Sequence, residues 1–146
     1  MLGVERMSSG TEKNETDHAL SIVQGFFDTI DATPEGYWRC FEIYFDSSSV
    51  WETIGLGTTV GQEEAIAFAK GFPVKFERMR IEDLVLTGAG NRVHAERLDH
   101  FCAADGTIVL TVRASGVFEI EGTTIAKYRD YFDTAGANAA IQKLAA

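Results

Sequence analysis

The sequence predicts an α+β domain, and three observations carry the prediction. Apolar residues recur at helical spacing through the first half of the chain; the period drops to two after Pro73; and glycine, asparagine and aspartate punctuate the alternating segments that follow. Helices grouped ahead of strands that are joined by tight turns cover one face of an antiparallel sheet.

Residues 1–15, MLGVERMSSGTEKNE, carry no apolar core and read as a disordered leader, with a single domain over 16–146. Thr16 or Asp17 then suits the cap of a helix whose apolar positions Leu20, Val23, Phe26, Phe27 and Ile30 share a face, ending near Asp31. A second short helix follows in PEGYWRCFEIYF, with Pro34 in its first turn and Trp38, Phe41 and Tyr44 or Phe45 on one side. SSSVWETIG reads as a strand closed by Gly55 and Gly57. GQEEAIAFAKGF reads as a third helix, acidic in its first turn and stopped by Gly71 and Pro73. From Lys75 to Phe132 four strand-like segments are divided at 88–91, Asp105-Gly106 and Glu121-Gly122, which is hairpin chemistry. The small residues of GANAAIQKLAA suggest a terminal helix. A curved sheet covered by helices on one side leaves a blind pocket at its mouth, the kind of concave place that binds small molecules.

At 146 residues the chain suits one domain with a sizeable core, and 45% hydrophobic residues fit a globular protein. A net charge of −9 repels phosphate backbones, which argues against nucleic acid and anionic membranes as partners. No apolar run approaches the roughly 20 residues of a membrane span, and a cytoplasmic protein is the default expectation. Cys40 and Cys102 lack CxxC spacing and read as reduced structural cysteines. His18, His94 and His100 fall in no metal-ligand spacing, so neither metal nor cofactor is expected.

The chemistry lies in AERLDHF and IAKYRDYF. Alternation puts Val93, Ala95, Arg97, Asp99 and Phe101 on one face of their strand and His94, Glu96, Leu98 and His100 on the other. In the later strand Ala126, Tyr128, Asp130 and Phe132 share a face, and Ile125, Lys127, Arg129 and Tyr131 take the opposite one. A lone carboxylate is badly housed beside two aromatics, whereas one guanidinium donates paired hydrogen bonds to two carboxylates. Arg97 is the natural bridge between Asp99 and Asp130. Three readings stay open on this logic: solvated charges, a buried ion-pair network that only fixes the sheet, or a coupled pair of carboxyls sharing a proton for acid and base work at opposite ends of one bond.

HAERLDHF, GVFEIEG and above all YRDYFD resemble the limonene-1,2-epoxide hydrolase family, a branch of the NTF2-like or SnoaL-like folds, along roughly residues 17–134. The resemblance implies a cystatin-like cone of helices on a curved, mostly antiparallel sheet. It also implies a one-step, metal-free opening of a hydrophobic epoxide, without a covalent ester, in a homodimeric enzyme. Asp130 would draw a proton from water, Asp99 would protonate the epoxide oxygen, and Arg97 would join and orient both. The family's water-holding Tyr and Asn have Trp51 and Thr53 in their places here, a donor-only indole and a hydroxyl without an amide. Tyr128, on the face of Asp130, is a substitute hydroxyl for water or substrate. Glu52 points away from Trp51 and Thr53. The alternatives are a ketosteroid isomerase-like or polyketide cyclase-like enzyme using the same pocket, or a small-molecule binding protein without turnover.

Overall fold

No proline interrupts residues 2–32, and in the computed structural model they form helix α1 (Leu2–Ala32). The structure describes residues 2–145, with side chains from Gly10 onward. The helix thus begins earlier than a cap at Thr16 or Asp17 would allow, and the chain expected to be a disordered leader is helical from Leu2. Thr16 is engaged elsewhere: its hydroxyl accepts the Gly90 N–H at 2.8 Å. Residues 10–15 are exposed. Burial begins at Ala19 and continues through Val23, Phe26, Phe27 and Ile30, the stripe that the spacing predicts. His18 ties α1 to the sheet through a 2.6 Å hydrogen bond with the Gly122 carbonyl.

Helix α3 (Gln62–Lys70) matches the sequence expectation, α2 (Gly36–Tyr44) does so except that Pro34 lies in the turn ahead of it and not in its first turn, and α4 (Thr134–Ala145) closes the chain. The inward side of α2 carries Cys40 and Phe41, while Trp38 is half-buried beneath Lys70, whose Nζ lies 5.4 Å from the ring centre. Strands β1 (Val50–Thr53), β2 (Gly57–Val60), β3 (Arg78–Ala89), β4 (Arg92–Cys102), β5 (Ile108–Glu121) and β6 (Thr124–Phe132) form one sheet in the order β2-β1-β6-β5-β4-β3. β3 to β6 are the expected meander. β1 joins its edge parallel to β6, and β2, a four-residue strand absent from the sequence reading, pairs antiparallel with β1.

Bulges curve the sheet around the helices. In β3 the register shifts between Glu82 and Val85, with Asp83 at a φ of 54°. In β6, Glu119 pairs with Lys127 but Ile120 with Ile125, so Ala126 is an extra residue. That extra residue turns Ile125 into the core, where it is fully buried, and corrects the simple alternation that put it outside. Among the described residues no helix is long and apolar enough to cross a membrane.

Between α1, α2 and the sheet lies an aromatic core centred on Phe26. Its ring centroid is within 6.4 Å of those of Phe27, Phe41, Tyr44, Phe45, Phe118 and Tyr128, mostly edge to face. Phe26 therefore joins α1, α2, β5 and β6 at one point. Replacing Phe26→Ala is expected to destabilise the domain by roughly 3–5 kcal/mol, read as a lowered urea midpoint.

Candidate functional site

The inner face of β4 is buried throughout, from Val93 and Ala95 through Arg97 and Asp99 to Phe101, while His94 and Glu96 are exposed. Arg97 is 2% exposed and Asp99 and Asp130 7% each, so the solvated reading of these charges is excluded. The guanidinium donates Nε–H to Asp99 Oδ1 at 3.0 Å and Nη2–H to Asp99 Oδ2 at 3.2 Å. Toward Asp130 it donates from Nη1 and Nη2 to the two carboxylate oxygens, both at 2.9 Å. Nη2 also reaches the Tyr128 hydroxyl at 2.9 Å. Beneath the guanidinium lies the Phe27 ring, 5.0 Å from Cζ.

β4 and β6, which hold these residues, are not neighbours. β5 runs between them, and the guanidinium spans its inner face. Gly116 makes that possible. It pairs with Asp130 on one side and Ala95 on the other, and a Cβ there would fall 2.9 Å from the Tyr128 ring, 3.2 Å from Asp130 Oδ1 and 3.3 Å from Arg97 Nη1. The sequence reading did not single out Gly116; its signal was a glycine inside the strand pattern of ASGVFEI, which marks close approach of other groups.

Burial pushes the Asp99 carboxyl above its ordinary value; the attraction of Arg97 opposes this, and the negative charge of Asp130 adds to it. Two carboxylates around one guanidinium leave a net negative charge, and a proton on Asp99 removes it. For Arg97, burial works against the charge, and Asp130 and Asp99 more than offset it. The Tyr128 and Tyr37 hydroxyls are held neutral, chiefly by burial.

A small cavity of about 40 Å³ opens onto both carboxyls. Trp51, Thr53, Tyr37 and Phe101 line it with Asp99 and Asp130. The parallel register of β1 on β6 sets Thr53 beside Asp130 and Trp51 beside Tyr128. Trp51 and Thr53 are 4% and 6% exposed, and Trp51 Nε1 and Thr53 Oγ1 have no hydrogen-bond partner in the protein. Glu52, between them in sequence, lies on the other face of the strand. The candidates Arg97, Asp99, Asp130, Trp51 and Thr53 therefore converge. Tyr128 does not line this cavity: it stacks between Phe118 and Trp51, with its oxygen taken by Arg97, and so buttresses the guanidinium instead of facing a ligand. Tyr37, on α2, also lines this cavity.

Cys40 and Cys102 are free and buried, as expected of structural thiols. His100 lies away from the cavity, its ring nitrogens 2.8 Å from Thr111 Oγ1 and 3.0 Å from Glu82 Oε1.

The family profile described as the limonene-1,2-epoxide hydrolase catalytic domain matches residues 18–142. Among solved structures, an LEH-like epoxide hydrolase from M. tuberculosis is similar at a TM-score of 0.63 and 20% identity, over 88% of this chain and 92% of that one. A putative polyketide cyclase from Xanthomonas campestris pv. campestris is similar at a TM-score of 0.71 and 15% identity, over 87% and 98%. A putative ketosteroid isomerase from Kribbella flavida follows at 0.63 and 12%, over 82% and 80%. At these identities the structural likeness establishes the fold. No curated protein sequence matches.

The room left by Gly116 yields a direct test. Gly116→Ala is expected to push the Tyr128 ring and the Arg97–Asp130 pair apart, destabilising the protein by roughly 1–3 kcal/mol as overpacked cores do, measured by denaturant unfolding.

Proposed function

The chain belongs to the limonene-1,2-epoxide hydrolase family, and on that premise we propose that it adds water to a hydrophobic epoxide in one step, using Asp130 as base, Asp99 as acid and Arg97 as the cation that holds both. The observation that carries this reading is the convergence of the two Arg97-linked carboxyls on a small cavity that also receives the unpartnered Trp51 Nε1 and Thr53 Oγ1.

A cavity of about 40 Å³ takes a water, which needs two to four polar partners. The donor and acceptor inventory suits a nucleophile on Asp130. Asp130 accepts one water proton, Thr53 Oγ1 accepts the other, and Trp51 Nε1–H donates to the water oxygen, leaving its remaining lone pair for carbon. The Trp51 and Thr53 pair thus offers the same balance of one donor and one acceptor as a tyrosine hydroxyl and an amide carbonyl.

In the reaction the water oxygen forms a bond to an epoxide carbon as that carbon's bond to the ring oxygen breaks. A proton passes from water to Asp130, and the Asp99 proton goes to the departing oxygen. The product is a vicinal diol, and Asp130 must give up the proton it took and Asp99 regain one before the next turnover. Burial that raises Asp99 keeps it a donor at higher pH than an exposed carboxyl allows. Arg97 stays charged throughout and sets the distance between the two carboxyls.

Asp130→Asn is expected to lower turnover of a hydrophobic terminal epoxide roughly 100- to 10,000-fold while the fold persists, with oxygen-labelled water and mass spectrometry of the diol as the assay. Retained turnover would mean that the base lies elsewhere. The wild-type rate should fall as pH rises through the elevated value of Asp99, because the acid is then lost. The sign for stability is the same: the folded carboxyl binds its proton more tightly than the unfolded one, so its contribution is full below the ordinary carboxylate value and is lost as pH rises through the folded one. Asp99→Asn should flatten that slope in denaturant midpoints taken across pH.

Trp51→Phe keeps an aromatic ring against Phe41 and Tyr128 and removes the indole N–H together with the second ring of the indole. About 100-fold loss in kcat is expected, the scale of a misplaced reactant, with the change in KM much smaller.

A further inference from the structure

We infer that the ligand of this site is a slender amphiphile, a terminal epoxide whose small oxygen-bearing head enters the inner cavity and whose unbranched apolar tail lies in a second chamber beneath α4. This rests on the proposed hydrolysis for the word epoxide, and on the cavities alone for the shape.

The inner cavity is too small for a cyclic terpene skeleton. At about 40 Å³ it accommodates a water and the edge of a three-membered ring, and its walls hold the polar atoms of Asp99, Asp130, Trp51 and Thr53. Adjoining it is a chamber of about 300 Å³ between the end of α3, the β1–β2 turn and α4. Leu56, Phe68, Phe72 and Phe132 line both spaces, so these four apolar side chains form the boundary that any ligand occupying both must pass. Beyond them the walls include Pro73, Ala137 and Ile141, and among the described residues Asn138 is the one polar side chain of that lining.

Polarity and volume are therefore divided in opposite senses. The polar end is narrow and the apolar end roomy, which fits a small head on a longer tail. An unsubstituted epoxide methylene can advance to the water beside Asp130, whereas a carbon carrying two ring substituents meets the aromatic boundary. Addition to a terminal epoxide forms the new carbon–oxygen bond, opens the ring and yields a linear 1,2-diol, so the product has the same shape and serves as an unreactive probe.

The experiment is isothermal titration of the intact protein with linear 1,2-alkanediols from butane to dodecane, beside cyclic diols of equal carbon count. Burial of each added methylene predicts roughly fourfold tighter binding until the outer chamber is full, and then a plateau. Cyclic diols should bind at least about tenfold more weakly than linear ones, since overfilling a packed space is unfavourable. Ile141→Trp fills the outer chamber from a helix that contributes no buried residue, and it should bring the plateau forward to shorter chains. Affinity independent of length, equal binding of cyclic and linear diols, no binding by any diol, or an unchanged plateau in Ile141→Trp would each overturn the inference. Turnover of the corresponding epoxides is scored separately. Length-dependent diol binding with no hydrolysis would refute the proposed reaction and leave the ligand shape standing, whereas hydrolysis with no dependence on length would do the reverse.

Discussion

A single buried guanidinium shared by two carboxyls is the constraint on which the rest of this structure depends. Removing Arg97 would leave two buried carboxyls without their shared partner, a loss on the order of 3–5 kcal/mol. The guanidinium is therefore the member that the arrangement cannot lose. Completing the arrangement requires β4 and β6 to face inward together across the whole width of β5, and the inner face of β5 beneath the guanidinium is small: Ala114 lies opposite Arg97 and Gly116 opposite Asp130. Larger residues at these two places would fill the space that the ion pairs occupy. The fold and the site thus share one requirement, close approach over β5.

The surroundings of that group distinguish its two carboxyls. Phe27 lies against the guanidinium, Phe101 and Tyr37 border the cavity, and Trp51 and Tyr128 stack nearby. Few polar atoms remain to solvate a second negative charge, and burial pushes the Asp99 carboxyl above its ordinary value. Asp130, with both oxygens held at 2.9 Å by two guanidinium nitrogens, lies in register with Thr53 and against the β1 side of the cavity. An apolar wall is therefore part of the electrostatics and not merely a container for substrate.

Much of this was legible in the sequence wherever the local period is undisturbed. β4 has an even alternation with no bulge from Val93 to Phe101 against β5, so its inward face, including Arg97 and Asp99, follows from counting by two. β6 was legible around Tyr128 and Asp130 and misread at Ile125, because one extra residue at Ala126 resets the count and nothing in TTIAKYRD announces it. The opposite faces of Trp51 and Glu52 were likewise readable. The parallel pairing of β1 with β6 was not, since it joins segments far apart in the chain and depends on register alone. β2 escaped because a four-residue strand of glycine, threonine and valine has no hydrophobic alternation to detect. Tyr128 was placed on the correct face but given the wrong neighbour, because a face does not say which of two nearby groups a hydroxyl will meet.

The geometry also bears on which chemistry this cone supports. An isomerase that moves a proton between two carbons relies on one carboxylate that first takes and then returns it, and so benefits from a base with freedom to shift along its substrate. Here both carboxyls are clamped to the same guanidinium by four hydrogen bonds, and Arg97 is itself braced by Tyr128 and Phe27. Motion of either acid would break charge-assisted bonds in an interior that has no replacement for them. Two fixed carboxyls that share one guanidinium are suited to a reaction with a proton to accept at one end and a proton to supply at the other. Addition of water across a strained carbon–oxygen bond has that form, and it asks the protein for positioning and charge compensation, which are the two properties that the Arg97 bridge supplies.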